Sequence, residues 1–102
     1  MYINEGVGFL RFIQLNFDGG NKAIHCLVGD RKLAEITWFE KDGLMKMNHT
    51  FVSDELRGQG IAKKLLDEAA SYARKRNLKM YPICSYVVSA FNKGEEYDDV
   101  KA

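Results

Sequence analysis

The chain has only two cysteines, Cys26 and Cys84, and neither has a second Cys or a His at metal-ligand spacing. Structural zinc and Cys-x-x-Cys redox chemistry are therefore excluded, and both residues are expected as free thiols in a reducing compartment. It has one proline, no Pro/Ser/Gly-rich linker, no low-complexity tract and no repeat at a solenoid period. With 102 residues, that predicts a single domain over 1–102. No stretch approaches the ~18 apolar residues of a membrane helix, and the N-terminus lacks the layout of a secretory signal. The expectation is a soluble, cytoplasmic protein with no membrane partner. An excess of charge is also missing, with 15 Lys and Arg against 14 Asp and Glu. A net charge of +1 excludes a broadly basic nucleic-acid binder, so any electrostatic function must be local.

What is present is ordinary for a globular domain: 46% hydrophobic, 28% charged and 12% aromatic residues. A chain of this size buries somewhat over about 60% of its unfolded surface, enough for one core without staples. Residues 9–17 are rich in strand formers and end at Asp18-Gly19-Gly20, which predicts an opening strand. Residues 1–8 are a candidate disordered segment, and order is expected to be only partial through residue 20. Short and long strands are expected over 23–28 and 33–41. Asp42-Gly43 then supplies the two positive-φ positions of a type I′ hairpin turn leading into a strand over 44–52.

A two-residue turn fixes register. Counting back from Lys41 opposite Leu44 pairs Trp38 with Met47, Ile36 with His49 and Ala34 with Phe51, all six on one face. The opposite face carries Glu35, Thr37, Phe39, Lys46, Asn48 and Thr50, so the first is the expected core and His49 its one polar member. The period then becomes helical, with Ile61, Leu65, Ala69, Tyr72 and Ala73 recurring at three and four over 59–76. Arg74, Lys75 and Arg76 suit the helix C-terminus before Asn77 ends it. A strand over 78–84, parallel to 44–52, and a short helix over 85–92 complete the α/β reading, ahead of an acidic ending at 95–99. The fold class is thus a mixed, mostly antiparallel sheet with one long crossover helix and a short C-terminal helix.

The segment Leu56-Arg57-Gly58-Gln59-Gly60-Ile61-Ala62 falls where a strand gives way to a helix. Its glycines permit close backbone approach, its amides lie at the unpaired start of a helix, and the helix dipole favours an anion. Glycines that merely allow a tight turn would give the same pattern. The segment matches neither the Walker sequence nor the dinucleotide fingerprint, which disfavours an ATPase or a dehydrogenase.

Arg57-Gly58-Gln59-Gly60-Ile61-Ala62 resembles the R/Q-x-x-G-x-G/A loop of the GNAT superfamily of acetyl-CoA-dependent N-acetyltransferases. Asn48-His49-Thr50-Phe51-Val52 before it, and Pro82-Ile83-Cys84-Ser85-Tyr86-Val87 after the helix, resemble a small branch of minimal single-domain members. The resemblance covers residues 23–100. It implies two parallel strands, 44–52 and 78–84, that splay to admit the pantetheine arm of acetyl-CoA or CoA. It further implies pyrophosphate on the amides of Gln59, Gly60, Ile61 and Ala62. Phe51, Val52 and Gly58 would complete the cofactor site, with Arg57 and Lys63 or Lys64 compensating charge. The thioester would lie near His49, Cys84 and Tyr86.

Amide formation from acetyl-CoA needs a neutral amine, a donor for the developing oxyanion and a proton for the departing thiolate. His49 could accept a proton from the ammonium, and Tyr86 could donate to the thiolate. Cys84 could carry the acetyl group as a thioester if His49 or the helix start made it a thiolate. Against these roles, His49 could be a hydrogen-bonded core residue and Cys84 a small buried hydrophobe. Cys26, Trp38, Met45 and Met47 are read as structural.

The chain departs from the branch at Phe91-Asn92-Lys93-Gly94-Glu95-Glu96-Tyr97, where relatives often carry His-Pro, which puts the packing of the last helix in question. Larger members insert two helices where this chain has a short turn from Val28 to Leu33. The acceptor site should therefore be open, suiting a large acceptor such as a protein lysine. The expected function is acetyl-CoA-dependent N-acetyl transfer by a monomer or weak homodimer. A non-catalytic CoA or acyl-CoA-binding module is the alternative. A phosphate or nucleic-acid binder using residues 57–79, with seven basic residues against two acidic, is disfavoured by the near-neutral total charge.

Overall fold

The computed structural model describes residues 9–102, and the disorder expected for 1–8 lies outside the described residues. Among the described residues five strands form one sheet in chain order: β1 (Arg11–Asn16), β2 (Asn21–Val28), β3 (Arg31–Lys41), β4 (Leu44–Val52) and β5 (Lys79–Pro82). The first four are antiparallel and β5 runs parallel to β4, so the mixed sheet is mostly antiparallel as the sequence predicts. Order extends further toward the N-terminus than expected. Phe12 opposes Cys26 and Gln14 opposes Ile24, which makes β1 a paired edge strand.

Asp42 and Gly43 take φ of 53° and 80°, and Lys41 pairs with Leu44, as the hairpin requires. Trp38 pairs with Met47, also as counted. Register then shifts: Thr37 opposes His49, Ile36 opposes Thr50, Glu35 opposes Phe51 and Ala34 opposes Val52. Asn48 is the extra residue of a β-bulge, and its Oδ1 accepts from Thr37 Oγ1 at 2.5 Å. One inserted residue moves every later side chain to the other face. The expected pairs Ile36–His49 and Ala34–Phe51 are therefore corrected. His49 and Phe51 leave the core side and Thr50 joins it.

The long helix α1 (Ile61–Arg76) starts two residues later than expected, because Gly60 sits in the left-handed region at φ 71° and cannot be its first turn. Asn77, at φ 56°, ends it as predicted. Ile61, Leu65, Leu66, Ala69, Ala70 and Ala73 are buried in one cluster with Ile36, Trp38, Met45, Met47 and Met80. Cys26 is buried among them, and burial pushes its thiol pKa up. Trp38 Nε1–H and Tyr72 O–H both donate to Glu40 Oε1, at 3.2 and 2.8 Å. Burial, and then that bond, push Tyr72 up to about 12. Replacing Leu66, which is fully buried, with alanine should cost about 2–5 kcal/mol, read as a lower urea midpoint with unchanged m.

The short helix α2 (Ser85–Asn92) has the bounds expected from sequence, and it buries Val87 and Phe91 in the same cluster. Tyr97 settles the packing of this end: its ring lies 5.4 Å from Phe91, and its O–H donates to Asp67 Oδ1 at 2.6 Å. The acidic ending folds back, with Asp99 on Arg74 and Glu96 on Lys63. Backbone bonds from Met80 N to Val100 O and from Ala102 N to Met80 O tie it beside β5. No described helix is long and apolar enough to cross a membrane.

Candidate active site

β4 and β5 stay paired for four residues, from Leu44 opposite Lys79 to Met47 opposite Pro82. There the strands part. The amides of Ile83 and Cys84 both donate to Met47 O, at 3.0 and 2.9 Å, and the chain turns into α2. Residues 48–52 continue without a β5 partner, so the two strands diverge beyond Met47. Just past that point, Thr50 Oγ1 and Cys84 Sγ are in hydrogen-bond contact at 3.4 Å. The bulge is what turns Thr50 toward the thiol.

The loop from Arg57 to Gly60 leads into α1. Gly58 and Gly60 have φ of 80° and 71°, and a Cβ at either would meet no atom within 4 Å. Among the described residues, the amides of Gly58 through Lys63 have no hydrogen-bond acceptor; the next, Lys64 N–H, donates to Gly60 O. Six consecutive free donors on a glycine turn at a helix start make an anion cradle. A hollow of about 200 Å³ beside it is lined by Val52, Leu56, Arg57, Gly58, Gly60, Ile61 and Ala62. Gln59 Oε1 is buried without a hydrogen-bond partner, and the donors that could meet an anion are the amides. These residues fit a bound pyrophosphate.

The cationic side chains are less free than expected. Arg57 Nε pairs with Asp54 Oδ1 at 3.0 Å, though both groups are largely exposed. Lys63 Nζ reaches Glu96 Oε1 at 2.8 Å and Asp67 Oδ2 at 3.2 Å; the Glu96 bond, then Asp67, raise its pKa, and Lys63 in turn lowers that of Glu96. Tyr86, on the first turn of α2, lines a small depression with Lys63, Ala90 and Tyr97. Burial raises the pKa of its phenol, keeping it protonated at neutral pH.

His49 lies elsewhere. Its side chain shares the open sheet face with Glu35, Thr37 and Phe51, opposite the face covered by α1. Its Nε2 is 3.3 Å from Glu35 Oε2, while His25 Nε2 is 3.3 Å and Lys32 Nζ 3.0 Å from Glu35 Oε1. A trough of about 380 Å³ runs past Phe17, Ala23, His25, Glu35, Thr37 and Asn48 on this face. His49 and Cys84 are thus not in hydrogen-bond contact, and Phe51 is turned away from the hollow beside the glycine loop that Val52 lines.

A family model described as GCN5-related N-acetyl-transferase matches residues 24–100, about three quarters of the chain. The chain belongs to this family. A solution structure of a GCN5-like candidate N-acetyltransferase from Staphylococcus aureus is 36% identical, with 91% of this chain and 88% of that one covered and a TM-score of 0.69. The ribosomal-protein-alanine N-acetyltransferase of Brucella melitensis shares the fold at 23% identity and TM-score 0.60, over 83% of this chain and 66% of that one. A GNAT acetyltransferase of Elizabethkingia anophelis with acetyl-CoA bound shares it at 14% identity and TM-score 0.53, over 60% and 41%. No curated protein sequence matches significantly. The chain is accordingly a small GCN5-related N-acetyltransferase, and its class of reaction is acetyl transfer to an amine.

In this N-acetyltransferase the sequence anticipated the glycine turn before α1 and the parallel strands β4 and β5, but three features around them escaped it. Thr50 beside Cys84, Glu35 between the two histidines, and the carboxylates around Lys63 all depend on distant partners. One local signal existed for the first two. Asn48-His49, two polar residues together after the alternating Met45-Lys46-Met47, mark the bulge.

Proposed function

We propose that this N-acetyltransferase uses acetyl-CoA held on the 57–63 loop and transfers acetyl directly to an amine that approaches across the open sheet face. The observation that carries this reading is the run of six acceptor-free amides from Gly58 to Lys63, beside strands that part after Met47. Charge-assisted hydrogen bonds from such amides to phosphate oxygens are each worth about 1.5–3 kcal/mol. Acetyl-CoA supplies an acetyl thioester when bound. Val52 and Ile61 offer apolar wall beside the loop, and Gln59 Oε1 an unused acceptor.

His49, on the face away from the loop, takes the proton of the incoming ammonium. Tyr86, held protonated by burial, is the donor for the departing thiolate. Direct transfer is favoured over an acetylated Cys84 because the hydrogen-bond partner of that thiol is the Thr50 hydroxyl, which is no base at neutral pH. Among the described residues, β2 and β3 are joined by the two-residue turn Gly29-Asp30, so no helices rise from that connection over the trough. A face left open by that connection suits a bulky acceptor, such as a lysine on a protein surface.

A thermal-shift titration with acetyl-CoA, CoA and ATP in parallel, followed by turnover on an amine panel, tests this. Acetyl-CoA and CoA should stabilise the domain saturably, by about 2.7 kcal/mol at 100 times Kd, and ATP should not. No shift would overturn the cofactor site. A shift without turnover on any amine would favour a non-catalytic CoA-binding module.

A further inference from the structure

We propose that Glu35 is a positioning residue for His49: it fixes the imidazole with its proton on Nε2 and leaves Nδ1 as the atom that accepts the proton of the amine. The inference rests on the N-acetyltransferase reading, but its observations are separate. The chain has two histidines, and both meet the same carboxylate. His25 is the direct cross-strand partner of Glu35, whereas His49 sits diagonally across from it on β4. Without the Asn48 bulge His49 would face the core and the contact could not form.

The carboxylate is well placed for holding a ring. Glu35 lies on β3, the middle strand of five, and its side chain is only 17% exposed. Its two oxygens divide the work. Oε1 faces His25 Nε2 and Lys32 Nζ, which hold the side chain from β2 and β3, and Oε2 is left for His49 Nε2. An ionised carboxylate only accepts hydrogen bonds, so the ring nitrogen turned to it must carry the hydrogen. In the neutral imidazole the other nitrogen then holds the lone pair. The His49 side chain is 54% exposed, so its far edge is open to an acceptor on the trough face. At 3.3 Å the two atoms meet at ion-pair distance without yet being aligned as a hydrogen bond, and catalytic contacts of this kind often tighten only once a substrate is bound.

The tautomer can be read directly. In protein labelled with ¹⁵N-histidine, at a pH where the imidazoles are neutral, we expect His49 predominantly as the Nε2–H form, with its signals assigned through His25→Asn. Glu35→Gln should shift His49 toward a mixture of tautomers. It should also lower kcat on the order of 10-fold, part of the 10²–10⁴ that a positioned base contributes, with KM for acetyl-CoA unchanged. A Glu35→Asp variant should recover part of the kcat. An Nδ1–H tautomer in the wild type, or a tautomer unmoved by Glu35→Gln, would overturn the proposal. An intact tautomer preference in a wild type that turns over no amine would instead overturn the transferase reading, and with it any positioning role for Glu35.

Discussion

Replacing Gly60 with valine is expected to lower the affinity for acetyl-CoA at least about 100-fold while the domain stays folded. At φ 71° Gly60 occupies the left-handed region, which costs an L-residue about 1–2 kcal/mol and a β-branched one most of all. Valine relieves that strain by rotating the backbone, which re-aims the amides of Gly60 and Ile61. Loss of two charge-assisted bonds at about 1.5–3 kcal/mol each gives the 100-fold, since 1.4 kcal/mol is tenfold. No protein atom lies within 4 Å of the added Cβ, so a steric clash inside the fold is not the cause. Gly29→Val is the matched control. It has φ 58°, equally open surroundings and a place in the β2–β3 turn, so it should show similar destabilisation with CoA binding intact. Calorimetric titration of both variants decides the point, and unchanged affinity in Gly60→Val would remove the loop from the cofactor site.

His49→Ala is expected to reduce kcat by about 10²–10⁴, the contribution of a positioned general base. The dissociation constant for acetyl-CoA should not move, because the imidazole is on the sheet face away from the loop. Stability should change little, since an exposed side chain away from the core usually contributes within about 0.5 kcal/mol. The useful readout is this split between turnover and cofactor binding, measured on the best amine from the panel. Cys84→Ala is the comparison. Direct transfer predicts that it retains most activity, whereas an acetylated Cys84 would make it as inactive as His49→Ala. A His49→Ala enzyme with wild-type kcat would end its role as base.

The parts of the site that sequence made legible are those built from neighbours in the chain. Asp42-Gly43 announces its turn because two successive residues must both accept positive φ. The loop from Arg57 to Ala62 announces itself because glycines, free amides and helix start are contiguous. The error lay at the bulge. A period of two carries no memory of an inserted residue, so counting beyond Met47 placed His49 and Phe51 on the wrong face, and only the paired polar residues Asn48 and His49 hinted at it. The ion pair of Lys63 was hidden for a different reason, since Glu96 is 33 positions away and reaches it only once the chain end has folded back.

By itself the sequence determined the order of the strands and helices, the I′ hairpin, the caps of the long helix, the buried face of that helix and the glycine turn that precedes it. Each rests on local periodicity or on the backbone freedom of single residues, which need no knowledge of distant chain. Tertiary structure alone decided which face His49 takes, that Thr50 rather than His49 meets Cys84, that one carboxylate serves both histidines, and that the acidic end is bound to α1. Those outcomes depend on strand register and on pairs far apart in sequence. Their free energies are settled by the packing of the whole sheet against α1, and no local pattern encodes them.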